Sequence, residues 1–253
     1  MLAISLQSGS NGNSIYVEGG GVRILIDAGI SGVKAQTGLA SCDRDIRRVD
    51  AVLLSHDHID HIKCAGVYQR KFHLPIYATR KTMSAAMSKG LGQLSDVRSF
   101  VAGDMIDFGA MQVHTIRTPH DGVDGVAFVV QCDSRRIGVL TDLGYPFPGL
   151  AETVSSCDGV FIESNYDPQM LREGPYPIFL QRRVAGNGGH LSNMQCADLL
   201  KLAGGNLRWA CLAHLSEKNN TPSLALQASE RCLKRPISLH VASRYVPMPA
   251  LEV

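Results

Sequence analysis

The sequence predicts an α/β sandwich of two mixed β-sheets packed face to face, with helices on the outside. Short runs rich in Val, Ile and Leu, bounded by Gly, Asn, Ser or Pro, are typical of strands and occur in both halves of the chain. Each half ends in segments with helical spacing of apolar residues. Because the sequence contains neither an internal repeat nor a linker, we expect residues 1–253 to form one domain.

The first half begins with a β-meander whose three strands are separated by the turn clusters SGSNGN and EGGG. Two further apolar runs, AVLLS and LPIYA, alternate with segments of helical spacing, and Gly90 is a stop signal for the second of these. In chain order, the predicted strands are 2–6, 14–17, 22–26, 51–55 and 74–78, and the predicted helices are 61–70 and 80–89.

In the second half, well-separated β runs are followed by an alternation of helices and strands. The predicted strands are 111–116, 125–131, 136–140, 159–164, 208–214 and 236–243, and the predicted helices are 192–204 and 223–234. Two β-rich halves that each end in helices favour two sheets with helices on their outer faces.

The composition excludes several classes of protein. With 45% hydrophobic and 19% charged residues, the chain is neither disordered, collagen-like nor a coiled coil. It has no run of about 18 apolar residues and no basic start followed by an apolar segment, so we expect neither a membrane span nor a secretory signal. Seven scattered cysteines without a CxxC pair favour reduced thiols and a cytoplasmic location. A net charge of +2 neither requires nor excludes a nucleic-acid partner.

The segment SHDHIDH, directly after the apolar run AVLL, carries three histidines and two aspartates within six residues. Imidazole and carboxylate are ligands of zinc- or manganese-type ions. In an extended loop, His56 and His58 can reach one ion, whereas Asp60 and His61, at the start of a helix, face another direction and can hold a second ion. Surface or capping roles do not explain this density, so the segment predicts a metal site.

Three more candidate ligands stand at the ends of other predicted strands: His120 in TPHDG, Asp142 after IGVL, and His214 after RWACLA. Singly, each is as well explained as a cap or turn residue. Jointly with residues 56–61 they predict one constellation at one edge of the sheets, in which the two oxygens of Asp142 can bridge two cations. The remaining histidines, His73, His114 and His240, are interpreted as structural.

At these residues the chain resembles the metallo-β-lactamase superfamily, whose signature HxHxDH matches HDHIDH and whose αβ/βα sandwich matches the order of elements along the whole chain. More narrowly, SLQSGSNGNS, TPHDG, IESNYD, GGHLSN and AHLSEKNN resemble the YycJ/WalJ-type branch, described as cytoplasmic DNA exonucleases. The chain is also similar to the cyclic phosphodiesterases of phosphonate breakdown. It departs from the branch at HDG, where HDA is usual, and the segment 174–188 is a place where substrate choice can differ.

The resemblance implies two divalent metal ions. One would be held by His56, His58 and His120. The other would be held by Asp60, His61 and His214. Asp142 would bridge the two ions, and Asp27, which ends VRILID, would orient the metal loop without binding metal.

The resemblance also implies residues around the metals. His190, in GGHLSN, corresponds to a histidine that serves phosphodiesterase relatives as a catalytic acid or phosphate contact; the alternative is a helix-entry residue. Glu163 and Asn165, in IESNYD, would support the site or touch substrate. Asp57 is interpreted as a support or general-base partner, and Asp60 is placed with His190 among the residues that take part in catalysis.

The function predicted from these residues is a dinuclear metal-dependent phosphodiesterase, a DNA exonuclease whose nucleophile is a metal-bridging hydroxide. One alternative is a small-molecule hydrolase of the same fold: a cyclic phosphodiesterase, lactonase or thioesterase. Another is a non-catalytic nucleic-acid-binding scaffold, against which the complete ligand set argues. Histidine-rich ligation favours zinc, and the mixed nitrogen and oxygen donors also accept manganese or iron. Polarity of attack and oligomeric state do not follow from the sequence.

Overall fold

A computed structural model describes residues 1–203, 205–233 and 236–253 of the chain. Within these residues the strands form two seven-stranded sheets, each with parallel and antiparallel pairs. The sheets pack face to face and helices cover their outer faces, so the α/β sandwich predicted from the sequence is confirmed.

The first sheet contains the N-terminal meander and a parallel half. In spatial order its strands are β14 (Leu251–Glu252), β1 (Leu2–Gln7), β2 (Ser14–Gly19), β3 (Val22–Ile26), β4 (Ala51–Leu53), β5 (Ile76–Thr79) and β6 (Val97–Phe100). The meander β1–β3 is antiparallel, and β3 to β6 run parallel to one another. The carboxyl ends of β3 and β4 therefore meet at one edge of this sheet.

The second sheet has the same division into an antiparallel and a parallel half. Its strands, in spatial order, are β13 (Ser238–Val241), β12 (Trp209–Ala213), β11 (Gly159–Glu163), β10 (Arg135–Leu140), β9 (Val126–Cys132), β8 (Met111–Arg117) and β7 (Met105–Asp107). Strands β10 to β13 are parallel, and β8 points the same way because both β8 and β10 are antiparallel to β9. The carboxyl ends of five strands thus share one edge.

Most of the helices lie over the outer face of a sheet. The helices are α1 (Gly32–Ala40), α2 (Ile59–Ile62), α3 (Ala65–Phe72), α4 (Arg80–Ser88), α5 (Leu150–Ser155), α6 (Pro168–Glu173), α7 (Ile178–Ala185), α8 (Asn193–Leu202) and α9 (Pro222–Cys232), with a 3₁₀ turn at Ile46–Arg48. Among the described residues, none of these helices is long and apolar enough to cross a lipid bilayer.

The core has three main layers. The central layer joins the inner faces of both sheets, with Ile24 and Leu53 from the first and Phe128 and Phe161 from the second, all fully buried. A second layer fills the space between the first sheet and helices such as α3, and a third lies under α5, α8 and α9. Burial of this apolar surface is the main term that stabilises the sandwich.

One predicted helix is wrong in its continuity. The segment 61–70 is divided between α2 and α3, because tertiary hydrogen bonds replace the helical ones at the junction. The carbonyl of His61 accepts from the backbone N–H of Ala28 at 2.7 Å, and the N–H of Cys64 donates to the carbonyl of Ala28 at 2.9 Å. Both bonds tie the break to the loop after β3.

The sequence predicts strands over 97–141 without separate bounds for β6 and β7, and it predicts none of the elements α1, α5, α6, α7 and β14. The segment that contains α6 and α7 has prolines and glycines that are typical of loops. The predicted helices 192–204 and 223–234 correspond to α8 and α9, and their final residues, 204 and 234, lie outside the described residues.

Candidate metal centre

The loop after β4 places three histidines at the edge where the strands end. His56 is the third residue after the strand, and His58 occupies the N-cap position of α2 with an extended backbone (ψ 145°). Asp60 and His61 then lie in the first turn of that helix. The switch from an extended to a helical backbone separates the two pairs of side chains in direction, as the sequence spacing predicts.

Asp57 faces away from this group. Its carboxylate forms an ion pair with Lys89 and accepts a hydrogen bond from the backbone N–H of Val123 at 2.7 Å. Burial raises the pKa of Asp57, but the hydrogen bonds from Lys89 and Val123 outweigh burial and hold the pKa below its usual value. Asp57 therefore links the loop to α4 and to the loop after β8, and the structure does not bring it into the cluster of candidate ligands.

The carboxylate of Asp27 holds the same loop in place through hydrogen bonds. It accepts from the backbone N–H of Ser55 at 2.8 Å and from the Ser55 hydroxyl at 2.9 Å, and lies 2.7 Å from Nδ1 of His61. All three side chains are buried. Asp27 thus lies behind the candidate ligands and contacts one of them, His61.

Three of the strand-end residues share an unusual backbone conformation. Asp27 after β3, Asp142 after β10 and His214 after β12 have positive φ values of 66°, 56° and 56°. Side chains other than glycine adopt this region rarely, and such residues concentrate at functional sites. At each of these residues the chain turns, and the side chain lies at the edge of the sheet where the strands end.

The candidate ligands from both sheets converge at this edge. Nitrogen or oxygen atoms within 4.8 Å of one another form four groups: His56, His58 and His120; His56, His61 and Asp142; Asp60, His61 and His214; and Asp142, Glu163, His190 and His214. Asp142 belongs to two of these groups and lies between the others. The seven residues expected to hold metal all appear, whereas His73, His114 and His240 join no such group in the described part of the chain.

Two of the histidines use Nδ1 for a contact that leaves Nε2 available to the cluster. Nδ1 of His120 donates to the carbonyl of Gly189 at 2.7 Å, and its Nε2 lies 3.2 Å from Nδ1 of His58. Nδ1 of His56 contacts the Ser55 hydroxyl at 2.9 Å. Metal-binding histidines typically make such a bond through their other nitrogen, which fixes the ring and its tautomer.

Two atoms in the cluster are buried and lack a hydrogen-bond partner among the described residues: Nε2 of His56 and Oδ2 of Asp142. A buried polar atom without a partner costs free energy of about 1–3 kcal/mol, so such atoms are rare unless another group satisfies them. Both face the other candidate ligands. The donor set therefore fits divalent cations of the zinc or manganese type, which would satisfy both atoms.

The charges in the cluster also favour cations. Burial lowers the pKa of His214, but Asp142 and Asp60 outweigh burial and raise it to about 10. Burial raises the pKa of Asp60, yet neighbouring His61 and His214 hold it far below its usual value. Burial and the adjacent imidazoles keep the pKa of His56 well below its usual value, so its ring is neutral. Ionised carboxylates and neutral imidazoles are the forms that bind metal, so His214 would release its proton on binding an ion.

His190 lies at the centre of a cleft over the cluster. Its Nδ1 is 2.7 Å from Oε1 of the fully buried Glu163, whose other oxygen accepts from the backbone N–H groups of Leu143 and Leu191 at 3.1 and 3.0 Å. Asn165 supports a neighbouring ligand, since its amide donates to the carbonyl of His214 at 2.7 Å. The structure therefore brings His190 into the cleft, where its ring contacts Glu163.

Sequence reasoning missed several polar residues of the centre. The Asn13 amide lies 3.0 Å from Nε2 of His61 and 3.2 Å from Oδ2 of Asp60. Asp121 lies 3.3 Å from Nε2 of His58 and accepts a hydrogen bond of 2.8 Å from Arg183. The position of Asn13 in the SGSNGN turn was a usable signal, whereas the contact between Asp121 and Arg183 joins residues 62 positions apart.

These side chains line an open cleft of about 140 Å³. Besides the candidate ligands and His190, its walls include Ser10 from the loop after β1 and Arg183 from the last turn of α7. The cleft has room for a phosphoryl or carboxyl group directly above the cluster.

Comparison with known proteins agrees with this geometry. Residues 22–214 match the family model of the beta-lactamase superfamily domain. The chain is 37% identical over 224 residues to an exodeoxyribonuclease WalJ of Streptococcus pneumoniae, an alignment that covers 87% of this chain and 83% of the relative. It is 32% identical over 232 residues to an exodeoxyribonuclease YycJ of Bacillus anthracis, covering 90% and 88%.

Among solved structures, the metallo-beta-lactamase fold protein YhfI from Bacillus subtilis superposes with a TM-score of 0.75 at 15% identity, covering 98% of this chain and 99% of that one. Likeness at this identity shows the fold alone. The resemblance seen in HDHIDH and in the order of elements is confirmed: the chain belongs to the beta-lactamase superfamily and has the metallo-β-lactamase fold.

Proposed function

We propose that this protein is a metal-dependent phosphodiesterase that degrades DNA from an end. The observation that carries the proposal is the convergence of seven histidine and aspartate side chains, with two unpartnered buried donor atoms, beneath an open cleft. The two relatives named as exodeoxyribonucleases support DNA as the substrate.

The ligand assignment is part of this proposal. His56, His58 and His120 would hold one divalent ion, and Asp60, His61 and His214 a second. Asp142, which belongs to a group with His56 and to a group with His214, would bridge the two. Zinc and manganese suit this set of nitrogen and oxygen donors. When bound, such ions polarise a phosphoryl oxygen and lower the pKa of water, so that hydroxide is available near neutral pH.

The residues of the chain would then orient the substrate and move a proton. The Glu163 carboxylate accepts a hydrogen bond from Nδ1–H of His190, which fixes the direction of the ring. In its doubly protonated form, His190 would donate the Nε2 proton to the oxygen of the leaving alcohol and would keep the Nδ1 proton that faces Glu163. Arg183, at the rim of the cleft, would contact a phosphate of the strand.

The surface of α7 also favours a nucleic acid over a small ester. The helix buries Val184 in a small cluster with Leu171 and Tyr166, while Phe179 is 71% exposed. Phe179, Arg182 and Arg183 are spaced three and four residues apart and so share the outer face. An exposed aromatic ring beside two cations is the combination on which single strands stack.

We also propose a domain organisation and a location in the cell. We infer that residues 1–253 form one domain, because the central core layer contains residues from both sheets. We also propose a cytoplasmic location, on the absence of a disulfide pattern among the seven cysteines.

The first test is degradation of linear DNA labelled at either end, with added manganese or zinc. We expect progressive loss of label with the wild-type protein and none with His58→Ala. His240→Ala is the matched control, since this histidine lies on β13 outside the candidate ligand groups, and it should degrade DNA normally. The end that loses label first gives the polarity of attack.

The same assay separates the alternatives. Hydrolysis of small cyclic phosphodiesters or lactones without loss of DNA label would support a small-molecule hydrolase. DNA binding by metal-loaded protein with no hydrolysis of any ester would support a non-catalytic scaffold. Either result would contradict the proposed exonuclease.

A further inference from the structure

A second and larger cavity, of about 440 Å³, lies next to the metal centre. It opens at the carboxyl ends of β12 and β13, where its walls include Leu215, Val241 and Ala242. Since β10, β11 and β12 end at the metal centre, the cavity lies one strand further along the same edge of the sheet. The first turn of α9 closes its far side with Pro222.

Arg244 connects the walls of the cavity and the cleft. Leu215, which lines the cavity, follows the candidate ligand His214 in the chain. Arg244 donates to the carbonyl of Leu215 at 2.8 Å and reaches the hydroxyl of Ser10, which lines the cleft, at 3.4 Å. The guanidinium of Arg244 therefore touches one residue from the wall of each space.

The walls of the cavity suit a planar group with polar edges. Leu215, Pro222 and the ring of Tyr245 supply apolar contact, and Tyr245 is 62% exposed at the mouth. Its hydroxyl donates to Glu217 at 3.0 Å, so that this pair joins the loops that follow β13 and β12. Polar side chains such as Asn220, Thr221 and Ser243 stand beside this apolar surface and can bond the edge of a bound group, as in cavities that bind cofactors and small molecules.

We propose that this cavity is a nucleotide subsite, which receives a base and its sugar from the strand whose phosphate occupies the cleft. The inference rests on the proposed phosphodiesterase function and names the part of the substrate that the metal centre does not hold. The cleft of about 140 Å³ accommodates a phosphoryl group but not a nucleotide, so the adjoining base needs a separate place. The neighbouring cavity is within the range of about 300–1,000 Å³ that ligand pockets occupy.

Charge favours a nucleotide over an apolar peptide as the occupant. A nucleotide presents its phosphate on one side of the sugar and its base on the other. The guanidinium of Arg244 at the junction, 3.9 Å from the Glu217 carboxylate, would contact the phosphate, and the ring of Tyr245 at the mouth would stack on the base. An apolar segment of a protein would use the same walls but would place no anion near Arg244.

The test compares two ligands, deoxyadenosine monophosphate and inorganic phosphate, by titration calorimetry with the metal-loaded protein. We expect wild-type protein to bind the nucleotide at least about tenfold more tightly than phosphate, because the base adds its stacking energy. Tyr245→Ala should weaken nucleotide binding about tenfold and leave phosphate binding unchanged. Tyr245→Phe should restore it, since the ring is kept.

Val246→Ala is the matched control, because Val246 is the next residue, 59% exposed, and does not line the cavity. Equal affinity of wild-type protein for the two ligands would overturn the subsite, as would unchanged nucleotide affinity in Tyr245→Ala. Because calorimetry needs no turnover, the proposed subsite and the proposed activity can be refuted independently. Degradation of DNA without base-dependent binding removes only the subsite, and base-dependent binding without degradation removes only the nuclease.

Discussion

His190 and Glu163 form a pair in which Nδ1 of the half-buried imidazole lies 2.7 Å from a fully buried carboxylate that two backbone N–H groups also hold. The carboxylate belongs to β11, and the histidine stands before α8, so two elements of the second sheet and its helix layer fix the ring. His190 is in turn within 5.2 Å of His214, measured between ring centroids. A positioned imidazole beside a candidate metal centre is suited to donate a proton.

We predict that His190→Ala keeps its metal but loses turnover by about 10²–10⁴-fold, the usual contribution of a general acid. The loss should be greatest for diesters with a poor leaving group, which need protonation most. Glu163→Gln should show the same dependence on leaving group with a smaller loss, because its amide no longer fixes the ring. Rates for good and poor leaving groups that fall equally, or not at all, would remove His190 from proton transfer.

We predict that Asp142→Ala loses bound metal together with activity. Asp142 is 3% exposed and lies between the groups assigned to the two ions, so its loss removes a shared ligand. Metal content by elemental analysis of the purified variant is the measurement. Asp104→Ala, at an exposed turn, is the control and should retain its metal. Full metal content and full turnover in Asp142→Ala would refute the bridging assignment.

We predict that Arg182→Glu weakens DNA binding and makes it less dependent on salt. Each phosphate contact releases counterions, so losing one reduces the slope of log K against log salt by about 1. Arg48→Glu makes the same charge change in the 3₁₀ turn before β4, at the opposite edge of the first sheet. The slope is measured by fluorescence anisotropy at several salt concentrations, and equal slopes for both variants would exclude a contact by α7.

We predict that the thiols of Cys157 and Cys196 do not react with a thiol reagent in the folded protein. Burial raises the pKa of Cys157 to about 11 and that of Cys196 to about 12, so at pH 8 the reactive thiolate is scarce and also inaccessible. Cys42 and Cys232 are partly exposed and should be labelled first. Mass spectrometry of the labelled peptides measures this, and early labelling of Cys157 would contradict the packing around α5.

The local sequence was sufficient for the features that depend on local pattern. Val22–Ile26 and the other short strands follow from alternating or continuous apolar runs, and the density of ligands in HDHIDH needs no partner to be recognised. The order of elements then placed His120, Asp142 and His214 at strand ends. Parallel strands bring such ends together, so the convergence was also predictable.

What the sequence did not predict depends on contacts between distant residues. The hydrogen bonds of Ala28 with His61 and Cys64 interrupt the helix predicted over 61–70, and they join residues 33 or more positions apart. The local sequence around Cys64 does not predict this interruption. Asp57 sits within the metal motif, yet Lys89 draws its carboxylate away from the cluster. Helix α7 was missed because the preceding GPYP reads as a loop, although its inner residues pack on a small core of their own.

The candidate ligands come from both halves of the sandwich: His56 to His61 follow a strand of the first sheet, whereas His120, Asp142 and His214 follow strands of the second. A bound ion would therefore cross-link the two sheets at one edge, and the sheets could not separate there until the bonds between the ion and its ligands were broken. A ligand that binds only the folded state stabilises that state in proportion to the logarithm of its concentration. We expect a cell short of metal to hold a protein that unfolds sooner and is destroyed faster by proteases, so that the amount of enzyme follows the supply of its ion.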